Sequence, residues 1–261
     1  MGQIIKAEKI VFSYPGMKKK ILNGCSLEIQ QGEIISILGT NGAGKSTLLN
    51  CMCGILNCQQ GSITLGDRAI SSMTRREISK IIGYVRQNQQ LVFEHSVFEY
   101  VLMGRACTIG LFEKPKKKDY EIVTNILEQM GIAHLAGCAI TRISGGEQQQ
   151  AAIARAIAQE PNVIFFDEPT AHLDYGNQIA TLRLINELKE KGFGIVMTTH
   201  NPDHCMLLGG KVAILNESGQ LESGTCKEML SEEKLKKLYH MNVKVVYVPE
   251  TRRFVCIPGR L

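Results

Sequence analysis

The sequence predicts an α/β protein with a mainly parallel sheet core, an antiparallel β lobe and a helical subdomain. Three observations carry that expectation. Gly39, Thr40, Asn41, Gly42, Ala43, Gly44, Lys45, Ser46 and Thr47 fit the pattern G-x-x-x-x-G-K-[S/T] between an apolar run of strand length and an apolar run of helix character. From Ser144 onward, strand-length apolar runs alternate with helical periodicity, which implies parallel strands joined by crossover helices. Ahead of the glycine-rich loop, short strand-like runs are separated by turn dipeptides, the pattern of a β-rich opening.

In chain order, residues 4–14 read as a strand, Pro15-Gly16 as a turn, 26–29 as a second strand, Gln31-Gly32 as a turn and 34–38 as the strand that delivers the loop. Residues 48–52 begin a helix, and 61–67 form a hairpin arm. Thr74 with Glu77 and Ser96 with Glu99 each have the spacing of a capping box, and 81–87 is a strand between them. Residues 119–130 place Ile122, Val123, Ile126 and Leu127 on one helical face, so 88–142 reads as a helical subdomain. A helix to about residue 159, a strand at 163–166, a helix at 178–189, a strand at 194–199, a helix after Pro202 and a strand at 211–215 complete the alternation. The expected organisation is a single unit over 1–261, with core segments 1–87 and 143–240 and a terminal hairpin over 241–261.

Composition narrows the function classes. A chain of 261 residues can bury a full core, and its net charge of +5 is too mild to imply nucleic acid as a partner. No apolar stretch approaches the roughly 18 residues needed to cross a bilayer, and the charged start, with Lys6, Glu8 and Lys9, does not read as a signal peptide. The chain is therefore expected in the cytosol, with its nine cysteines as reduced thiols.

The motifs point to phosphate chemistry. Glycines let the backbone N–H groups of 39–44 turn inward, the following helix N-terminus adds positive potential, Lys45 can reach outer phosphates and the Ser46 hydroxyl can ligate magnesium. Ser144 and Glu147 make a capping box around Gly145 and Gly146, so a second helix start carries uncovered N–H groups; taken alone it could be a plain helix cap. An apolar strand then ends in Asp167-Glu168. Asp167 suits a magnesium shell, and Glu168 is the candidate base that accepts a proton from attacking water or orients it. His200 ends the next strand; an isolated histidine is usually structural, but at this sheet edge a phosphate contact is expected.

With those residues in order, the chain resembles the ATP-binding subunits of ATP-binding cassette (ABC) transporters over nearly its whole length. The resemblance implies a P-loop NTPase fold, ATP and Mg2+ as cofactors, and ATPase activity. By it, 39–47 is the Walker A loop, Gln87 a Q-loop glutamine at the metal beside Ser46 and Asp167, 143–147 the signature, Asp174 a D-loop carboxylate and His200 a switch histidine. Tyr14 resembles the aromatic residue on which the family stacks adenine. The likeness also implies a head-to-tail homodimer in which Ser144, Gly145, Gly146 and Glu147 serve the partner's nucleotide. A polytopic membrane permease and, indirectly, a substrate-binding protein would complete the assembly, with this subunit peripheral at the cytoplasmic face of the cell membrane. In the family the stretch after Gln87, with Val92 and Phe93, helps receive a permease helix.

Several positions depart from the common pattern: Ile143 for leucine, Gln148 and Gln150 for arginines, Arg86 for proline and Ala171 for serine. Residues 96–105 and 172–178 look most like the subunits that energise iron-siderophore, haem and vitamin B12 import. The alternative is a soluble ABC ATPase of the iron-sulfur cluster assembly type.

Overall fold

A sheet whose central strands are apolar on both faces needs cover on both sides, and the chain supplies it. The computed structural model describes residues 3–87, 94–110 and 112–259. In order the elements are β1 (Gln3–Phe12), β2 (Leu22–Gln30), β3 (Ile34–Leu38), α1 (Lys45–Met52), β4 (Gln60–Leu65), β5 (Arg68–Ala69), α2 (Arg75–Ser79) and β6 (Ile82–Val85). There follow α3 (Val97–Leu102), α4 (Lys117–Gln129), α5 (Gly145–Ile157), β7 (Val163–Asp167), α6 (Tyr175–Glu190), β8 (Gly194–Thr199) and α7 (Pro202–Leu208). The chain closes with β9 (Lys211–Leu215), β10 (Leu221–Thr225), α8 (Cys226–Met229), α9 (Glu232–Tyr239), β11 (Val243–Val248) and β12 (Arg253–Pro258).

The main sheet has the order β10-β9-β3-β8-β7-β6, parallel except for the β9–β10 pair. Every residue of β3, β7 and β8 is buried. Side chains alternate between two cores, as the two-residue period of a strand requires. Val163, Phe165 and Val196 join a cluster with α1 and the antiparallel sheet β2-β1-β4-β5. Ile164, Phe166, Ile195 and Met197 join the cluster under α3, α4, α5 and α6. A third cluster, around Leu38, Cys205 and Ile214, seats α7, α8, α9 and the first residues of the terminal hairpin.

The capping boxes at Thr74, Ser96 and Ser144 are all formed. Element ends differ from the sequence reading where polar residues decide. The first strand stops at Phe12, leaving Tyr14 in the loop, and the strand expected to reach Gln87 stops at Val85, before exposed Arg86 and Gln87. The helix expected from 178 begins at Tyr175, because Asp174 caps it by accepting from the Asn177 N–H at 2.9 Å. Val92 and Phe93 lie outside the described residues.

The helical segment is pinned to the core by one buried cation. Arg105, in a short 3-10 turn after α3, donates to Asp119 at 3.0 Å, to the Ala158 carbonyl at 2.7 Å and to Glu160 at 2.7 Å. Removing one member of such a set leaves a carboxylate and a carbonyl without their partner in low dielectric. Arg105→Ala should lower stability by about 3 kcal/mol, read from urea unfolding; a loss of a few tenths would mean that water replaces the guanidinium there.

Candidate functional site

Strand register places the site. Leu38 pairs with Thr199 and Asp167 with Thr198, so the loops after β3, β8 and β7 leave the same edge of the sheet side by side. Ligands of open α/β sheets bind at such carboxyl edges. The cavity there measures about 610 Å³, and Tyr14, Lys45, Thr47, Gln87, Glu168 and His200 are among its walls.

The loop after β3 is tied to the end of β8, where the Gly39 N–H donates to the Thr199 carbonyl at 3.3 Å, and turns back on itself where the Ala43 N–H donates to the Thr40 carbonyl at 3.2 Å. Gly44 caps α1 with φ of 103° and no side-chain cap, and a Cβ there would lie 2.7 Å from Ile21. Only glycine suits that position, and the first N–H groups of α1 are left without a side-chain acceptor. Asn41 and Gly42 line the cavity, and Thr47, inside the first turn of α1, shares a 3.1 Å hydrogen bond with the Tyr14 hydroxyl. The Tyr14 ring stands edge-on against Phe12 with centroids 5.0 Å apart, at the cavity mouth.

The Lys45 ammonium is buried and fully engaged. It donates to the Gly39 and Thr40 carbonyls at 3.0 Å each and pairs with Glu168 at 2.9 Å, with side chains 4% and 11% exposed. The other Glu168 oxygen receives Gln87 Nε2 at 3.3 Å and lies 3.3 Å from His200 Nδ1. Glu168 itself has φ of 46°, the left-handed region that is strained for a non-glycine residue and tends to cluster at working sites. Its N–H is held by the Thr198 hydroxyl at 2.9 Å.

Asp167 is the second carboxylate. One oxygen accepts from Ser46 Oγ at 2.9 Å and Thr198 Oγ1 at 2.8 Å, and the other accepts from the Tyr84 hydroxyl at 3.2 Å. Ser46 and Asp167 thus present adjacent hard oxygens, the donor type that magnesium takes. Thr198 and Tyr84 escaped the sequence reading. Their only signal was a polar group within an otherwise apolar strand, which becomes legible once β7 is known to lie between β8 and β6.

The sequence motifs do not all meet in one cavity. Ser144, Gly145, Gly146 and Glu147 begin α5, where Glu147 receives both the Ser144 N–H, at 2.8 Å, and its hydroxyl, at 2.7 Å. Asp174 is occupied as the α6 cap, and neither group is in the Lys45 cavity wall. The two helix starts touch, since a Cβ on Gly146 would lie 2.5 Å from the Asn177 side chain.

Burial pushes the Glu168 carboxyl up, but the hydrogen bond and charge of Lys45, helped by His200, outweigh it and hold the group below its ordinary value of 4.5. Its folded pKa is below its unfolded one. The stability it contributes is therefore fully present above pH 4.5 and is lost as pH falls through the folded midpoint. In Lys45→Met the largest lowering influence is gone while burial still raises the group, so the Glu168 midpoint should rise. Carboxyl 13C NMR titration checks this, and an unchanged midpoint would refute the pairing.

Residues 22–171 match the ABC transporter family. The chain is 34% identical over 242 residues to the molybdate import ATP-binding protein MolC of Haemophilus influenzae, covering 92% of this chain and 90% of that one. It is 30% identical over 255 residues to the ferric enterobactin transport ATP-binding protein FepC of Escherichia coli, covering 97% and 93%. Among solved structures, a chain of an inward-facing ABC transporter described as metal-chelate type superposes with a TM-score of 0.88 at 32% identity, covering 99% of this chain and 98% of that one.

Proposed function

Because the chain belongs to the ABC transporter family and is its ATP-hydrolysing, nucleotide-binding subunit, we propose that it powers an importer, with two copies enclosing ATP and a polytopic permease as their membrane partner. The observation that carries the reading is the convergence of Lys45, Glu168, Gln87 and His200 on one cavity, with Ser46 and Asp167 adjoining. Phosphoryl transfer needs chiefly positioning and charge stabilisation, and that set supplies both.

Lys45 is the phosphate cation. ATP entering the cavity offers it phosphate oxygens in place of Glu168, and the exchange frees the carboxylate to orient the attacking water and take its proton. His200 and Gln87, which flank the same carboxylate, hold the water and the γ-phosphate. Magnesium would be held by Ser46 and Asp167, with Gln87 close by, and when bound it would neutralise charge on the phosphate oxygens. Tyr14 stacks adenine at the cavity mouth, where its ring is 40% exposed. Ser144, Gly145 and Gly146 are not part of this cavity's wall, which supports their service to the second copy's nucleotide in a head-to-tail pair, with Glu147 and Asp174 fixing the two helix starts.

Replacing Glu168 with Gln keeps shape and removes basicity. Turnover should fall at least ~100-fold with ATP binding retained, and the variant should run as a dimer on size exclusion with ATP and magnesium; wild-type turnover would remove Glu168 from the base role. Lys45→Ala differs in kind. It should weaken ATP affinity about 10- to 100-fold by calorimetry, since the ammonium meets phosphate charge in the ground state as well; unchanged affinity would contradict the assignment.

Among the described residues no helix is long and apolar enough to cross a membrane, so attachment to the cytoplasmic face would come from the permease. Its seat is a cavity of about 450 Å³ walled by Leu102, Met103, Ala106, Ile109 and Pro115 together with the charged Arg76, Glu99 and Glu113. Met103 is 43% exposed there. Met103→Glu should leave basal ATPase activity within about twofold and abolish co-purification with the permease, because a charge replaces the exposed apolar side chain at the contact and adds to the two carboxylates already there; retained co-purification would displace the docking site. The cargo of such an importer would be an iron-siderophore, haem or cobalamin; of these, the ferric enterobactin relative and the metal-chelate neighbour support the iron-siderophore. The names of these relatives also favour transport over the soluble ATPase reading.

A further inference from the structure

His200 is weakly held by its own side chain. The imidazole is 53% exposed and its one hydrogen-bonding contact among the described residues is the 3.3 Å approach to Glu168. Its position over the cavity is therefore set by the main chain between β8 and α7. That stretch is gripped on one side by Thr199, whose hydroxyl accepts from the Asn201 N–H at 3.0 Å. On the other side the grip comes from the end of α9: the Tyr239 hydroxyl donates to the His200 carbonyl at 2.8 Å.

Tyr239 is well placed to act as a fixed hook. It is the last residue of α9, half-buried against the cluster that holds Leu235 and Leu238. Burial pushes its phenol up, so it remains a donor across the neutral range. α9 is itself anchored, since Glu232 receives the Val245 N–H at 3.2 Å and pairs with Lys244 at 2.8 Å. The hairpin returns to the histidine segment at a second point, where the Cys256 N–H donates to Asp203 in the first turn of α7 at 2.8 Å. The carboxyl-terminal segment thus holds the strand-to-helix turn at His200 and at Asp203.

We propose that Tyr239 is a positioning residue for ATP hydrolysis, its hydroxyl fixing the main chain at His200 and with it the imidazole beside Glu168. The inference rests on the role given above to His200. Without the hook the carbonyl turns to water, the imidazole samples more positions, and fewer encounters place it on the phosphate in the transition state. The ATP-binding groups Lys45, Thr47 and Tyr14 are not touched by the change. The effect belongs in kcat and not in KM.

Tyr239→Phe keeps the ring and removes only the donor. In the full chain, kcat should fall about three- to tenfold, the range expected from one hydrogen bond, with KM for ATP within about twofold. Melting should stay within about 3 °C of wild type. The decisive comparison is Tyr239→Phe in a His200→Ala background, with the residual rate read by single-turnover hydrolysis of labelled ATP. There the second change should add nothing, because a positioning residue has no effect once the group it positions is gone. Wild-type kcat in Tyr239→Phe alone, or the same fractional loss with and without His200, would overturn the inference. Full turnover in His200→Ala would instead overturn the role of His200 and this inference with it, whereas a slow His200→Ala beside a fully active Tyr239→Phe removes the inference alone.

Discussion

Everything at the site depends on three parallel strands ending at one level. β3, β8 and β7 are neighbours in the sheet, and their register sets Leu38 beside Thr199 and Asp167 beside Thr198. A slip of one residue would turn every side chain of a strand to the opposite face. For β7 it would exchange Val163 and Phe165 with Ile164 and Phe166 between two different cores. The burial of these strands on both faces therefore fixes the register, and the register fixes the distance between the phosphate loop, the paired carboxylates and His200. Packing energy and catalytic geometry are set by the same residues.

Within that frame one ion pair has a different standing from the rest. Pairs such as Lys237–Glu233 and Lys117–Glu121 lie in solvent and contribute little to stability. Lys45–Glu168 is enclosed, and the carboxylate sits on a strained backbone with Thr198 holding its N–H. A buried pair of this kind is poised for exchange. In the exchange proposed for ATP binding, phosphate would bring more negative charge and more acceptor oxygens than the carboxylate, so Lys45 would gain by changing partner while Glu168 would become free. Asp167 is supported differently, by three neutral hydroxyls from Ser46, Thr198 and Tyr84, an arrangement that orients an anion without neutralising it.

How much of this was legible in the sequence follows from the range of each interaction. The capping boxes at Thr74, Ser96 and Ser144 span three residues, and all three were readable. The sharp turn after β3 was readable because its glycines, with positive φ at Gly42 and Gly44, act over a single turn. Asp174 showed the limit of local reading, since its carboxylate could be seen but not its use as the α6 cap. Thr198 and Tyr84 needed the strand order, which pairs residues far apart in the chain, and no periodicity encodes that. Tyr239 is the extreme case: it closes a helix whose pattern explains its burial, and only the folded chain brings its hydroxyl to His200. The terminal hairpin was visible as strands, but its hold on Asp203 was not.

The central claim is that Lys45 exchanges Glu168 for nucleotide phosphate within this cavity. The most direct measurement is a crystal or cryo-EM structure of the Glu168→Gln variant with ATP and magnesium. The account requires Lys45 Nζ within hydrogen-bond distance of phosphate oxygens, the side chain at 168 released from it, and the Ser144 helix start of a second copy against the same nucleotide. ATP bound elsewhere, or bound here with Lys45 still on residue 168, would contradict it.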